Sequence, residues 1–452
     1  MGKFDRPQPR PNRILLVKVR SIEGDLPVEG ATVEFVGINW GTTDANGEVR
    51  IERVNNQSRA VLLVSKVGYK TYEGDYDIHD ADMVFPISIE KVVETPIEPV
   101  EPLPGIERAP IVKVSGIHFT FNNHLGRIQE VSNFKGLRHF IDDIEKQKEF
   151  LKVFRQLNYN TVRVFINLSW GRISAKEEPD YYTKVDNYFD FLGHQGFICE
   201  CGILQDCIDL GITKPEAQDI VAKVTEIAAK YQHVICHNNE PGKNLPANSS
   251  PSDFSGFVHS NVIYSHGSRI SLDDVIKPVQ DYIDEHTNRD EQWWRRGKDI
   301  KDISDIYGVP VLMNEPMGAD NIQKPGSRSN IPREFLVYSA ISSLFGGSCF
   351  HSTKTAFSEI PDSIEMECAK QYAEGFNLIE KEWMLGDYSA LHLDGPLQLI
   401  QGQIERAYFK IRGNQAIGAL SVGIPGRPSE FTLKNGWRIK EHRNDVVKLF
   451  ER

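Results

Sequence analysis

Hydrophobic and polar positions change rhythm three times along the chain. Over residues 12 to 92, short β-rich runs (ILLVKVR, GATVEFVG, GEVRIERV, AVLLVSKVGY, MVFPISIEKV) alternate with turn signals. No helix-length amphipathic stretch interrupts them, so this segment is predicted to be a small β-sandwich. The sequence DANG, Asp44 to Gly47, lacks the further ligands of a calcium loop and reads as a tight turn. Residues 93 to 110, VETPIEPVEPLPGIERAP, carry a proline every few positions and four glutamates. Such a segment favours extended polyproline-like conformations and is predicted to be a semi-rigid linker.

From 111 to 389 apolar strand-like runs alternate with helix-period segments. The runs are VKVSGIHFTFN, TVRVFINLSW, GFICECGILQD, HVICHNNEP, NVIYSHGS, VPVLMNEPMG and GSCFHSTK. Among the helical segments are IEKQKEFLKVFRQLN, KVDNYFDFLGHQ and TKPEAQDIVAKVTEIAAKYQ. Near-continuous apolar strands, each followed by a helix, indicate a parallel sheet covered by helices, and this many units fits a (β/α)8 TIM-type barrel. One unit is missing from the series. Between Glu240 and Asn261 the chain is too rich in Pro, Ser and Asn for a full helix and strand, so the barrel is expected to be irregular around strand five. From 390 to 452 the texture returns to β-hairpins, predicting a small C-terminal β-appendage.

A chain of 452 residues is too long for one ordinary core, which agrees with a multidomain reading. The net charge of -11 argues against nucleic acid or an anionic membrane as partner, since both reward Lys and Arg, and leaves room for a neutral or cationic ligand. The N-terminal apolar run, Ile14 to Val17, is too short for a signal-peptide core, and no run approaches the length of a transmembrane helix. The expectation is a cytoplasmic protein or one released by a route such as lysis or virion assembly; a signal peptide already removed is a third reading. The six cysteines, 199, 201, 207, 236, 349 and 368, read as reduced buried thiols, because several lie inside apolar runs. Cys199 and Cys201 alternate on one strand, and no second ligand pair at zinc spacing follows them, so no metal and no cofactor are expected.

In a parallel barrel the useful positions are the C-terminal ends of strands, where the loops converge on one mouth. Those ends supply His118, Asn122, Arg163, Asn167, Trp170, Asp206, His237, Asn239, Glu240, His266, Glu315 and His351. Glu240 and Glu315 stand out because each closes an apolar strand within the tripeptide NEP. Glycosidic cleavage needs such a pair: one carboxyl of raised pKa to protonate the leaving oxygen, and one ionised carboxylate. Trp170, with Tyr181 and Tyr182 behind it, is the best candidate for a ring that stacks on a sugar. Trp293 and Trp294 read as outer-layer packing.

NTVRVF with Arg163, HNNEP with Asn239 and Glu240, NVIYSHGS with His266, and DIYGVPVLMNEPMGA with Glu315 resemble the clan A glycoside hydrolases, especially the cellulase-like family 5 group. The resemblance spans about residues 111 to 360. It implies a retaining hydrolase of a β-linked polysaccharide or oligosaccharide, with Glu240 as acid/base and Glu315 as nucleophile. It further implies Asn239 as partner of the sugar 2-hydroxyl, Arg163 as the cation keeping Glu315 ionised, and His266 beside the nucleophile or substrate. Further substrate-binding candidates are His118, Asp206, Trp170 and His351. The chain departs from the pattern at the short stretch between Glu240 and His266, at His351 where the family commonly presents a tryptophan, and at Pro316 after Glu315. The N-terminal segment resembles carboxypeptidase-regulatory-like and transthyretin-like modules, which implies an accessory or attachment role toward a protein partner. Two alternatives stand beside this reading. One is a non-catalytic or degenerate barrel acting as a structural or glycan-binding protein, such as a phage virion component. The other is a metal-assisted hydrolase using the rim histidines and Asp206.

Overall fold

The computed structural model describes residues 14–35, 39–52, 59–66, 69, 72–77, 83–91, 107–238, 244–265, 281–286, 303–314, 318–319, 331–390, 395–401, 407–420 and 430–452. The chain divides into two compact units, Met1–Pro99 and Val100–Arg452. The linker expected at 93 to 110 falls mostly outside the described residues.

In the first unit strict alternation does the folding. Ile14–Ser21 buries Leu15, Val17 and Val19 on one face. It pairs antiparallel with Glu48–Glu52 and parallel with Met83–Ile89. A second sheet runs Asn39–Thr42, Thr32–Phe35, Arg59–Ser65, Tyr72–Asp77. The two sheets share one core, in which the rings of Phe35 and Phe85 meet edge-on at 5.1 Å. This is the predicted β-sandwich. The DANG segment is a tight turn: Asp44 Oδ1 accepts from the backbone N–H groups of Asn46 and Glu48, both at 2.9 Å. Gly47 takes φ +72°, and a β-carbon there would come within 2.4 Å of the Val19 carbonyl oxygen.

The second unit is a parallel barrel. In chain order its strands are Ile128–Ser132, Thr161–Phe165, Ile198–Gly202, Val234–His237, Ile263–Ser265, Ile283–His286, Val311–Asn314 and Gly347–Ser352, called strands one to eight below. They neighbour one another in the order five, four, three, two, one, eight, seven, six, with every pair parallel. Between strands five and six no ladder forms among the described residues. Three bonds bridge the seam instead: Asp281 N to Tyr264 O at 2.9 Å, Tyr264 N to Asp281 Oδ2 at 3.0 Å, and Asp284 N to Ser265 Oγ at 3.2 Å.

One expectation about the strands is corrected and one is met. The run VKVSGIHFTFN is not a barrel strand. Val112–Ser115 and His118–Phe121 form an antiparallel hairpin about a turn with Gly116 at φ +57°. Its Val112 and Phe119 pack against Ile128, Ile198, Ile235, Tyr282 and Leu312, the N-terminal interior of the barrel. The expected irregularity around strand five is present as a three-residue strand with no ladder to strand six among the described residues, but the strands that the apolar runs missed are different ones. Strand five is present within NVIYS, although only three residues long, whereas strands one (IQEVS) and six (IDEH) carry charged residues that hide them from a search for apolar runs.

Alternation along each strand splits the barrel into two surfaces. Val131, Val162, Val164, Cys199, Cys201, Val234, Cys236 and Met313 belong to the core shared with the helices, whose apolar faces supply Phe150, Phe154, Leu192, Val221 and Val224. Each such side chain contributes roughly 1.5–3 kcal/mol by leaving water. Helix starts follow their local signals. Asp143 accepts from Lys146 N at the start of Ile144–Gln156, and Thr213 with Glu216 makes a capping box for Lys214–Ala228. The C-terminal residues form an antiparallel sheet in the order Asp387–Ala390, Ala407–Arg412, Gln415–Leu420, Val447–Glu451, Arg438–His442. One face of it, with Tyr408, Ile417 and Leu449, joins the barrel's outer core; the other, with Phe409, Trp437 and Phe450, forms a core of its own.

Candidate functional site

The residues that point into the barrel above its apolar floor are polar to an unusual degree. Glu130 of strand one, Arg163 of two, Glu200 of three, His237 of four and Asp284 of six are all fully buried. Strand register brings them to neighbouring levels: Arg163 lies opposite Glu200, and Gly202 opposite His237. The guanidinium of Arg163 is bracketed by carboxylates, with Nε 3.5 Å from Glu200 Oε2 and Nη2 3.5 Å from Asp284 Oδ2. It also lies over the rings of Phe165 at 5.1 Å and Phe134 at 5.6 Å, which stack on each other at 4.2 Å. Asp284 Oδ2 is in turn 2.8 Å from His237 Nδ1. Tyr282 donates its hydroxyl to Glu200 Oε1 at 3.1 Å.

Burying so many ionisable groups is tolerable only if their charges balance. Burial, and then the neighbouring Glu200 carboxylate, push the Glu130 carboxyl well above the usual carboxylate range. Burial and the neighbouring carboxylate thus both favour the neutral form of Glu130, which lessens the negative charge gathered around the guanidinium. Ligand atoms of Glu200, His237 and Asp284 also lie within 4.8 Å of one another, a spacing that could hold a metal ion. Arg163, however, already places a fixed cation against both carboxylates. A divalent ion there would add its charge to that of the guanidinium, so the donor set fits an ion-pair network better than a metal centre.

The predicted site residues fall into three groups. Glu240, Glu315, Asn239 and His266 lie outside the described residues, as do Trp293 and Trp294. Arg163, His237, Asp206, Trp170 and His351 belong to the barrel strands or to the loops at their C-terminal ends. Of these, Arg163 and His237 meet in the buried network. His351 of strand eight is only 8% exposed, places Nδ1 3.0 Å from Ser132 Oγ and stacks on Phe134 at 5.5 Å. Asp206 ties two loops together: it accepts from Ser169 N at 3.2 Å, from Ser169 Oγ at 2.9 Å and from Gln205 Nε2 at 3.1 Å. Trp170 is 41% exposed and packs at 5.0 Å on Phe357, itself 40% exposed, which follows strand eight. The Lys135 ammonium lies 4.6 Å from the Phe357 ring and 5.5 Å from that of Trp170. An aromatic wall therefore stands at the loops after strands eight, one and two.

His118 and Asn122 form the third group, and their placement is a correction. Both belong to the hairpin at the N-terminal end, because VKVSGIHFTFN turns back on itself instead of crossing the barrel. Burial and nearby Lys410 lower the His118 pKa, and Asn122 Oδ1 accepts from Ile111 N at 2.9 Å. Asn167 has its amide occupied within the framework, donating to Ile203 O at 2.9 Å and accepting from Ala175 N at 3.0 Å. Tyr181 likewise packs locally, with its hydroxyl on Ile166 O at 3.0 Å.

Glu130, Glu200, Tyr282 and Asp284 escaped the strand-end search because they lie within strands or just before one. A local signal did exist. Glu200 interrupts the otherwise apolar run of ICECG, and a carboxylate is seldom buried without a partner; IQEVS and IDEH carry further polar residues and offered no such signal.

No family model matches the chain, and no curated protein does. Solved structures do. The "putative glycoside hydrolase" from Bacteroides vulgatus ATCC 8482 superposes with a TM-score of 0.52 at 13% identity, over 90% of this chain and 83% of that one. A structure described as "Glycoside hydrolase" gives a TM-score of 0.51 at 9% identity, over 76% of this chain and 98% of its own. The endo-1,4-beta-mannanase from Rhizomucor miehei follows with a TM-score of 0.44 at 11% identity, over 59% and 99%. At such identities the likeness is one of fold, and the fold that this chain carries is a TIM-type barrel with flanking antiparallel sheets.

Proposed function

We propose that the chain is a glycoside hydrolase that cleaves a β-linked glycan with retention, using Glu240 as acid/base and Glu315 as nucleophile. The observation that carries the reading is where the strands end. Strand four ends at His237 and strand seven at Asn314, so that Asn238-Asn239-Glu240 and Glu315 are the residues with which the chain leaves those two strands at their C-terminal ends. In a parallel barrel all such exits lie at one mouth. Retention requires the two carboxyl groups to stand roughly 5–5.5 Å apart. The wall of Trp170 and Phe357 supports a sugar ligand, because flat apolar sugar faces stack on rings. In this reading Trp170 and His351 contact the glycan, while the N-terminal sandwich serves as an attachment or spacer module.

The test is a panel of β-glucans, β-mannans and β-xylans with the wild-type chain and with Glu315→Gln and Glu240→Gln. The wild type is expected to release reducing ends from one class. Glu315→Gln should lose at least about a thousandfold in kcat, as expected when a nucleophile is removed, while the near-UV circular dichroism stays unchanged. Full activity of folded Glu315→Gln would refute the assignment. Glycan binding without cleavage by the wild type would favour the non-catalytic barrel.

A further inference from the structure

We infer that Asp284 is a positioning residue of this site, its carboxylate holding Arg163 of strand two and His237 of strand four in one fixed arrangement. The kinetic consequence rests on the glycosidase reading above; the structural one does not. A single oxygen, Oδ2, makes both contacts, 2.8 Å to His237 Nδ1 and 3.5 Å to Arg163 Nη2. All three side chains are fully buried. Buried away from bulk solvent, they attract one another more strongly than they would at a surface. Glu130 of strand one and Tyr282, two residues upstream, feel the charge of the same carboxylate, and Glu200 of strand three has a carboxylate oxygen within 4.8 Å of it.

Asp284 is itself anchored where the barrel is weakest. Strands five and six share no ladder among the described residues, and the bond from Asp284 N to Ser265 Oγ is one of the three that cross the seam. Ser265 in turn accepts from Asn238 N through its carbonyl at 3.2 Å. Strands four, five and six are thus tied together around His237 and Asn238, the last described residues before Glu240. Glu240 follows His237 by three positions in the chain, and on the glycosidase reading a change at Asp284 is therefore expected to act on kcat. Displacement of a reacting group by about 1 Å can cost a hundredfold in rate.

The experiment uses the full chain with Asp284→Asn and Asp284→Glu, assayed on the glycan that the wild type cleaves. Folded Asp284→Asn is expected to lose about a hundredfold in kcat with KM little changed, and Asp284→Glu, which keeps the charge, to recover part of that loss. Wild-type kcat in folded Asp284→Asn, or a loss confined to KM, overturns the inference. If Asp284→Asn does not fold, His237→Gln severs the same contact from strand four; a comparable kcat loss is expected, and an unchanged kcat overturns it. A readout independent of activity separates this inference from the glycosidase reading. In nitrogen-15 spectra the His237 ring resonances should move in Asp284→Asn relative to the wild type whether or not any glycan is cleaved. Unmoved resonances overturn the positioning role, whereas an inactive wild type with moved resonances overturns only the hydrolase.

Discussion

Glu130 is a carboxyl with no route to water, and its protonation state has a measurable consequence. Its folded-state pKa is raised, first by burial and then by Glu200, above the value of about 4.3 it would have in the unfolded chain. The folded state therefore binds a proton that the unfolded state releases. The stability this contributes is fully present below the unfolded pKa and is lost as pH rises through the folded one, at up to about 1.4 kcal/mol per pH unit. Glu130→Gln keeps the shape and neutrality of the acid but does not titrate. Its urea midpoint relative to the wild type should therefore be more favourable at pH 8 than at pH 5; an offset independent of pH would mean that Glu130 is not held protonated. Cysteine chemistry offers a second check at this scale. None of the six thiols is in a disulfide and all are buried; burial raises Cys207 and Cys368 to about 12 and pushes Cys199 and Cys201 well above the ordinary thiol range. Native protein at pH 8 should show no rapid reaction with a thiol-specific disulfide reagent, and denatured protein should titrate six groups.

At the scale of elements, the strand signals that failed are instructive. IQEVS and IDEH are barrel strands in which a carboxylate occupies an inward position, so that hydrophobicity alone did not pick them out. VKVSGIHFTFN looks like one long strand, yet Gly116 turns it into a hairpin that caps the barrel floor. Helix packing leaves a testable mark near the end of the barrel. The helix Ser363–Asn377 approaches Pro332–Ser343 so closely that a β-carbon on Gly375 would fall 2.2 Å from the Leu336 carbonyl oxygen and 2.4 Å from Ser339 Oγ. Although alanine has the better helix propensity, Gly375→Ala should destabilise by about 1–3 kcal/mol through overpacking. A stabilised variant in thermal or urea unfolding would contradict this packing.

For the whole molecule, the sandwich and the barrel unit have separate cores among the described residues. Calorimetry of the full chain is therefore expected to resolve two transitions, since each unit has its own cooperative core. Removing residues 1 to 99 should delete one transition and leave the other in place. A single transition that shifts as a whole on truncation would show the units to be coupled.

What the sequence by itself determined is what depends on neighbours along the chain. The alternation in ILLVKVR, the capping residues Thr213 and Glu216, the apolar strand in VRVF and the thiols of CEC are local patterns, and each has the structure that its pattern implied. His237 was visible as a candidate because it ends a strand, and Arg163, in the middle of Thr161–Phe165, because it lies in the motif NTVRVF. Their partners were not. Glu130, Glu200 and Asp284 lie far from Arg163 in sequence and meet it only because parallel register and closure bring strands one, two, three, four and six around a common axis. Which cation neutralises which buried carboxylate is a question of distance in space. Only the folded barrel answers it, because burial removes the bulk solvent that would otherwise have screened every one of those charges.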